Sequence, residues 1–156
     1  MKKLALLSVI LLVGITSFAG TVGENYCLIT TGEKLYLKKI RVEDANVSAT
    51  LVDGKKIVIP ASQVKMYQVD GEIFEMLPIY VNNENTGKET FMQFVTTRAG
   101  LKLYKYTMRE DKINEKTGAH EKGSKVEHFM VFRGDQFYIE INDKNSENLF
   151  SFFGVN

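Results

Sequence analysis

The reactive side chains of this chain are few, and their spacing decides little chemistry. Histidine occurs twice, as His120 and His128, and cysteine once, as Cys27. His120 lies in a polar stretch with Glu115, Glu121 and Lys122, and His128 stands beside Glu127. A metal site would need both histidines with Glu121 or Glu127, but no Cys/His set has zinc spacing. The expectation is one loop histidine, one strand-edge histidine and no metal. Cys27 sits between Tyr26 and Leu28, with no base or positive group nearby to activate it. It reads as a buried structural thiol. A single thiol cannot form an internal disulfide, which leaves pairing between chains as the alternative. Asp143, Asn145 and Glu147 alternate like the first ligands of a calcium loop, but Asn148 stands where that loop needs glycine. The mature chain holds no G-x-S-x-G, no S-x-x-K and no phosphate-cradling glycine loop. Neither a catalytic set nor a cofactor is expected. An acid–base hydrolase would have to draw on Glu72, Glu75 or Glu140, two of them converging to about 5–10 Å.

Aromatic residues are the stronger signal. Nine phenylalanines and seven tyrosines remain once Phe18 is set aside with the leader described below. Most fall at alternating positions, where core packing is the default. Tyr104, Tyr106 and Tyr138 are the candidates for lining a groove that takes a glycan, a peptide or a lipid.

The elements that would position these residues are strands. Period-2 alternation predicts them over Tyr26–Thr30, Leu35–Val42, Val47–Leu51, Ile57–Ile59, Val64–Val69 and Ile73–Val81. A bulge is expected near Lys38 and Lys39, where the apolar face switches. Asp53-Gly54 and Asp70-Gly71 are hairpin turns, and Ala61-Ser62-Gln63 forms one helical turn after Pro60. Asn82–Thr90 reads as a polar loop, the one candidate boundary between halves. Further strands follow over Phe91–Thr97, Leu101–Met108, Glu127–Phe132 and Gln136–Ile141, with Arg109–Val126 as a long hairpin loop. Leu149, Phe150, Phe152 and Phe153 share one helical face, Asn142–Asn145 offers capping side chains, and Gly154 is a stop. The prediction is an all-β, mostly antiparallel fold. About nine to ten short strands form a small barrel-like or meander sheet, with a short C-terminal helix plugging its open end.

Residues 1–19 read as an address: Lys2 and Lys3, an uncharged run of 12 residues from Leu4 to Ile15, and small residues at Ser17 and Ala19. The run is short for a membrane span, which needs about 20 residues. The expected product is a single β-rich domain over residues 20–156, exported to the periplasm or beyond. Its 18 basic and 19 acidic residues nearly cancel, so no large field for nucleic acid or an anionic membrane is expected. Lys38, Lys39 and Arg41 lie against Glu43 and Asp44 and read as a solvated strand edge.

Several segments carry a resemblance: Thr31–Leu35, Asp53–Pro60, Gly100–Tyr104, Arg133–Tyr138 and the aromatic end at Leu149–Phe153. Together they resemble small secreted β-rich proteins of Gram-negative bacteria that have no assigned activity. The five-strand pattern of the first half also resembles an SH3-like or Sm-like barrel. The resemblance implies export and a shared fold and brings no catalytic residue. The function expected is a non-catalytic binding or interaction module of the cell envelope. Its partner would be an unknown protein or a small ligand, and its recognition surfaces the loops at 82–90 and 109–126. The alternatives are a carboxylate-dependent hydrolase and a structural subunit that pairs through an edge strand.

Overall fold

A computed structural model describes residues 24–43, 45–109, 112–113, 118, 120–121 and 123–155. The expected address at 1–19 lies outside these residues. The chain forms β1 (Tyr26–Ile29), β2 (Lys34–Val42), β3 (Asn46–Leu51) and β4 (Lys56–Pro60). A 3-10 turn at Ala61–Gln63 leads into β5 (Val64–Val69), β6 (Glu72–Val81), β7 (Glu84–Arg98) and β8 (Leu101–Arg109). Then come β9 (Lys112–Ile113), β10 (His120–Glu121), β11 (Lys125–Arg133), β12 (Gln136–Ile141) and the helix α1 (Ser146–Phe153). Among the described residues ten strands make one antiparallel sheet in the order β12-β11-β8-β7-β6-β5-β1-β2-β3-β4, and β9 pairs with β10. The sheet is an open meander and not a closed barrel.

Local chemistry sets these boundaries. Asp70-Gly71 and Ala99-Gly100 have positive φ at both residues, at 51° and 84° and at 51° and 76°. Both positive is the signature of the two-residue turn whose twist matches flanking strands. In β2 the register slips between Leu37 and Lys39. The strand pairs with β1 before that point, through Leu35 and Tyr36, and with β3 after it. The predicted bulge therefore turns β2 from one part of the sheet into the next.

That bend encloses the first core. Cys27, Leu37, Val47, Ala49, Ala61, Val64 and Tyr67 are buried together there. The order β5-β1-β2-β3-β4 wraps around them. Among the described residues no ladder joins β4 to β5, and the 3-10 turn spans the gap. The Ala61 N–H donates to the Ala45 carbonyl and the Thr30 N–H to the Gln63 carbonyl, both at 2.9 Å.

The second half is apolar on both faces. Met92, Tyr104, Tyr106, Met130 and Phe132 fill one side. Leu101, Leu103 and Val131 fill the other, with Phe153 of α1 upon them. The helix therefore covers a face and does not plug an end, because both faces of β8 and β11 need a partner. Arg98 donates to the Phe152 carbonyl and fixes the helix to β7. Gly154, at φ 70°, ends it: the Val155 N–H reaches the Phe150 carbonyl at 3.0 Å, and the Gly154 N–H the Ser151 carbonyl at 3.2 Å. Asn145 holds the N-cap position, but its side chain caps nothing. It accepts from the Asn142 N–H and donates to the Glu140 carbonyl, each at 2.9 Å, and so ties the β12–α1 connection.

Two expected loops are corrected. The stretch 82–90 is strand from Glu84 onward, and only Asn82 and Asn83, at φ 53° and 64°, turn the chain. Its polarity records exposure, since residues 84–89 are all exposed while Glu84, Asn85 and Glu89 pair with β6. Thr86–Lys88 bulge opposite Ile79, where Thr86 Oγ1 donates to the Ile79 carbonyl at 2.9 Å. The stretch 109–126 carries the β9–β10 ladder, with Ile113 opposite His120, and part of it lies outside the described residues.

Candidate functional site

Tyr104 and Tyr106 project from the same face of β8, as alternation requires, but into the core and not into a groove. They are 1% and 6% exposed. The Tyr104 hydroxyl donates to Glu75 Oε1 at 2.8 Å, and Lys102 Nζ lies 3.9 Å from the same oxygen. Burial, the hydrogen bond to Glu75 and the charges of Glu75 and Asp135 all hold the Tyr104 phenol well above its ordinary range. The Tyr106 ring stacks on His128 at 5.1 Å, and among the described residues its buried hydroxyl has no hydrogen-bond partner. Burial first, and the Glu140 charge second, push that phenol up to about 12. Tyr138 is 52% exposed on β12, with the Arg133 guanidinium 5.2 Å from its ring centre. The three tyrosines thus do not share a surface: two are core and one is isolated.

The candidate carboxylates are dispersed. Glu72 and Glu75 are three residues apart on β6 and so point to opposite faces. Glu72 accepts from Gln93 Nε2 at 3.0 Å. Glu140 belongs to β12, with β11, β8 and β7 between it and β6 in the sheet order. It accepts from the Asn83 N–H at 3.4 Å, while its own N–H donates to Asn83 Oδ1 at 3.0 Å. That reciprocal pair ties the β6–β7 turn to the β12 edge, where Tyr80 also stacks on Phe137 at 3.7 Å. Cys27 is fully buried, and burial raises its thiol pKa. His128 is half-buried on β11, and the His120 side chain lies outside the described residues. Among the described residues no three His, Cys, Asp or Glu groups gather as metal ligands.

One surface was missed by sequence reasoning. In the β2–β3–β4 register, Lys39 faces Thr50, which faces Lys56, and Arg41 faces Ser48, which faces Val58. Directly opposed residues share a face, so these six side chains form two cross-strand rows on the outer side of the sheet. Ile40, Ala49, Ile57 and Ile59 take the inner side against the first core. The outer rows line a shallow cleft of about 290 Å³. Arg41 also pairs with Glu43 at 3.0 Å. The same side of β2 continues through Tyr36, which is paired across to Tyr26, with Lys34 Nζ 3.9 Å and 5.1 Å from the two ring centres. Every polar side chain of the two rows is a cation or a hydroxyl. Such a set can donate to an acceptor-rich, anionic group and neutralise it.

The signal was present in the alternation of Lys39/Arg41, Ser48/Thr50 and Lys56/Val58. It becomes a site only when the register places the three strands side by side. No family model, no curated protein and no solved structure matches the chain.

Proposed function

We propose that the protein is an exported, non-catalytic interaction module of the cell envelope, and that it recognises its partner on the outer face of β2–β3–β4. The observation that carries this reading is the pair of rows Lys39–Thr50–Lys56 and Arg41–Ser48–Val58, open to solvent over a shallow cleft. Export rests on the address pattern of residues 1–19. The likeness to small secreted β-rich proteins and to SH3-like or Sm-like barrels belongs to the same proposal. It is supported by the order β5-β1-β2-β3-β4 and the 3-10 turn before β5.

The sheet edges are poorer docking places than this face. On β4, Lys56 places a charge and Pro60 withholds an N–H, two devices that discourage strand addition. On β12 the Glu140 N–H is already bonded to Asn83. The test is a photo-crosslinking residue placed at Ser48 in the envelope-expressed protein, with Thr107, exposed on β8, as the comparison. The expected result is a discrete adduct from position 48 and none from 107. Adducts from 107 alone would overturn the choice of face.

A further inference from the structure

The net charge of the chain conceals how its charge is distributed. Residues 34–60 hold six basic and three acidic side chains, and the remainder of residues 20–156 holds twelve basic and sixteen acidic. A domain of nearly zero net charge is therefore polarised, with its positive end at β2–β4. Lys39, Arg41 and Lys56 are exposed on the outer face, and Lys38 and Lys55 are exposed beside it. The outer face also carries Val58, at 67% the most exposed large apolar side chain among the described residues. Tyr26 of β1 and Tyr36 of β2, half-buried and paired across the two strands on that side, add rings with polar tips. Cations, an exposed valine and tyrosines on one shallow surface match the layers of a lipid interface: phosphate outside, glycerol and acyl carbon beneath.

We infer that the outer face of β2–β3–β4 docks on the anionic headgroups of a phospholipid surface. This rests on the choice of face in the proposed function and names what covers it. Lys39 and Lys56 flank Thr50 with one strand between them, a separation of about 9–10 Å from the inter-strand spacing. Two headgroup phosphates meet the two ammonium groups, and the Thr50 and Ser48 hydroxyls donate to their oxygens. Val58, beside the Arg41–Ser48 row, meets the apolar layer below. The surplus of cations over acids at this end favours an anionic occupant over a neutral peptide. Among the described residues no helix is long and apolar enough to cross a membrane, and docking on a headgroup layer requires none.

The test is co-sedimentation of the protein with phosphatidylglycerol-containing vesicles and with pure phosphatidylcholine vesicles, at about 50 and about 500 mM salt. The expected result is binding to the anionic vesicles alone, lost at high salt. The double variant Lys39→Glu/Lys56→Glu should lower the partition coefficient by about tenfold or more. Lys88→Glu/Lys144→Glu makes the same charge change elsewhere on the surface and should leave it within about twofold, with melting curves confirming that both variants fold. Absence of binding to anionic vesicles at low salt, or equal loss in the two double variants, overturns the inference. So does complete displacement by inorganic phosphate at the lipid phosphate concentration, which would make the occupant a small anion. A protein adduct from Ser48 combined with blank vesicles removes the lipid and keeps the interaction module. Blank results in both remove both.

Discussion

Two tyrosines on one strand face should respond oppositely to the same substitution. Tyr104 and Tyr106 are both buried, and both lose only a hydroxyl on mutation to phenylalanine. The Tyr104 hydroxyl is bonded to the Glu75 carboxylate at 2.8 Å. A hydrogen bond to a charged group contributes about 1.5–3 kcal/mol, so Tyr104→Phe should destabilise by about 2 kcal/mol. Lys102, 3.9 Å from Glu75, still neutralises the carboxylate and keeps the loss from growing further. The Tyr106 hydroxyl is buried with no hydrogen-bond partner among the described residues. Desolvating such a group costs about 1–3 kcal/mol, and phenylalanine removes that cost while keeping the stacking on His128. Tyr106→Phe should therefore stabilise by about 1 kcal/mol. Urea unfolding followed by tyrosine fluorescence reads both. A spread of about 3 kcal/mol, at an m-value of about 1–3 kcal/mol/M, separates the two midpoints by about 1–3 M. Equal destabilisation of the two variants would refute the reasoning, since it would mean that the Tyr106 hydroxyl is bonded in the folded protein.

Buried phenols set the alkaline limit. Burial and Glu72 push Tyr67 up to about 12, and burial and Glu140 push Tyr106 to about 12, against about 10 for an unfolded tyrosine. Between these values the unfolded chain has released protons that the folded one still holds. Stability is therefore whole below pH ~10 and falls by roughly 3 kcal/mol per tyrosine as pH rises to ~12, a slope that Tyr106→Phe should flatten in urea titrations across that range. Phe153, 7% exposed beneath α1, should cost about 3–5 kcal/mol as Phe153→Ala, and deleting residues 146–156 should lower the melting temperature sharply; an unchanged melt would show that the helix covers nothing.

How much was legible follows from which forces are local. The Asp70-Gly71 turn, the bulge after Leu37, the 3-10 turn after Pro60 and the Gly154 stop depend on a few adjacent residues, and each was readable from them. The faces of Leu101–Met108 were readable too, because alternation alone decides them. The loop at 82–90 was misread because polarity was taken for irregularity. Residues 84–89 are exposed, yet Glu84, Asn85 and Glu89 are in register with β6 on either side of a bulge, and pairing leaves no mark on composition. Tyr104, Tyr106 and Tyr138 failed as a groove for a different reason. Alternation places two of them on one face but cannot say what packs there, and Glu75 of β6 with Met92 and Phe94 of β7 gathers about Tyr104. The Asn145 side chain was the right type at the N-cap, but the Asn142 N–H competed for its oxygen.

The candidate surface was hidden by an average. Lys38, Lys39 and Arg41 viewed along the chain are balanced by Glu43 and Asp44, and viewed as a whole the domain is nearly neutral. Both summaries lose the third dimension, in which Lys56 of β4 is carried to Thr50 and Lys39 by two antiparallel ladders. The inner sides of β2, β3 and β4 are committed to the core around Cys27 and Val47. In the second half, one face of the sheet is committed to the Tyr104 cluster and the other to α1. Packing thus consumes most of the faces this sheet possesses, and among the described residues the β2–β4 outer face remains open with its cations, hydroxyls and Val58 in register. Charge that contributes nothing to the core, and is arranged in rows by the ladder, is available to attract a partner. Salt dependence is accordingly the first property to measure, because a docking surface built this way must weaken as the Debye length shortens.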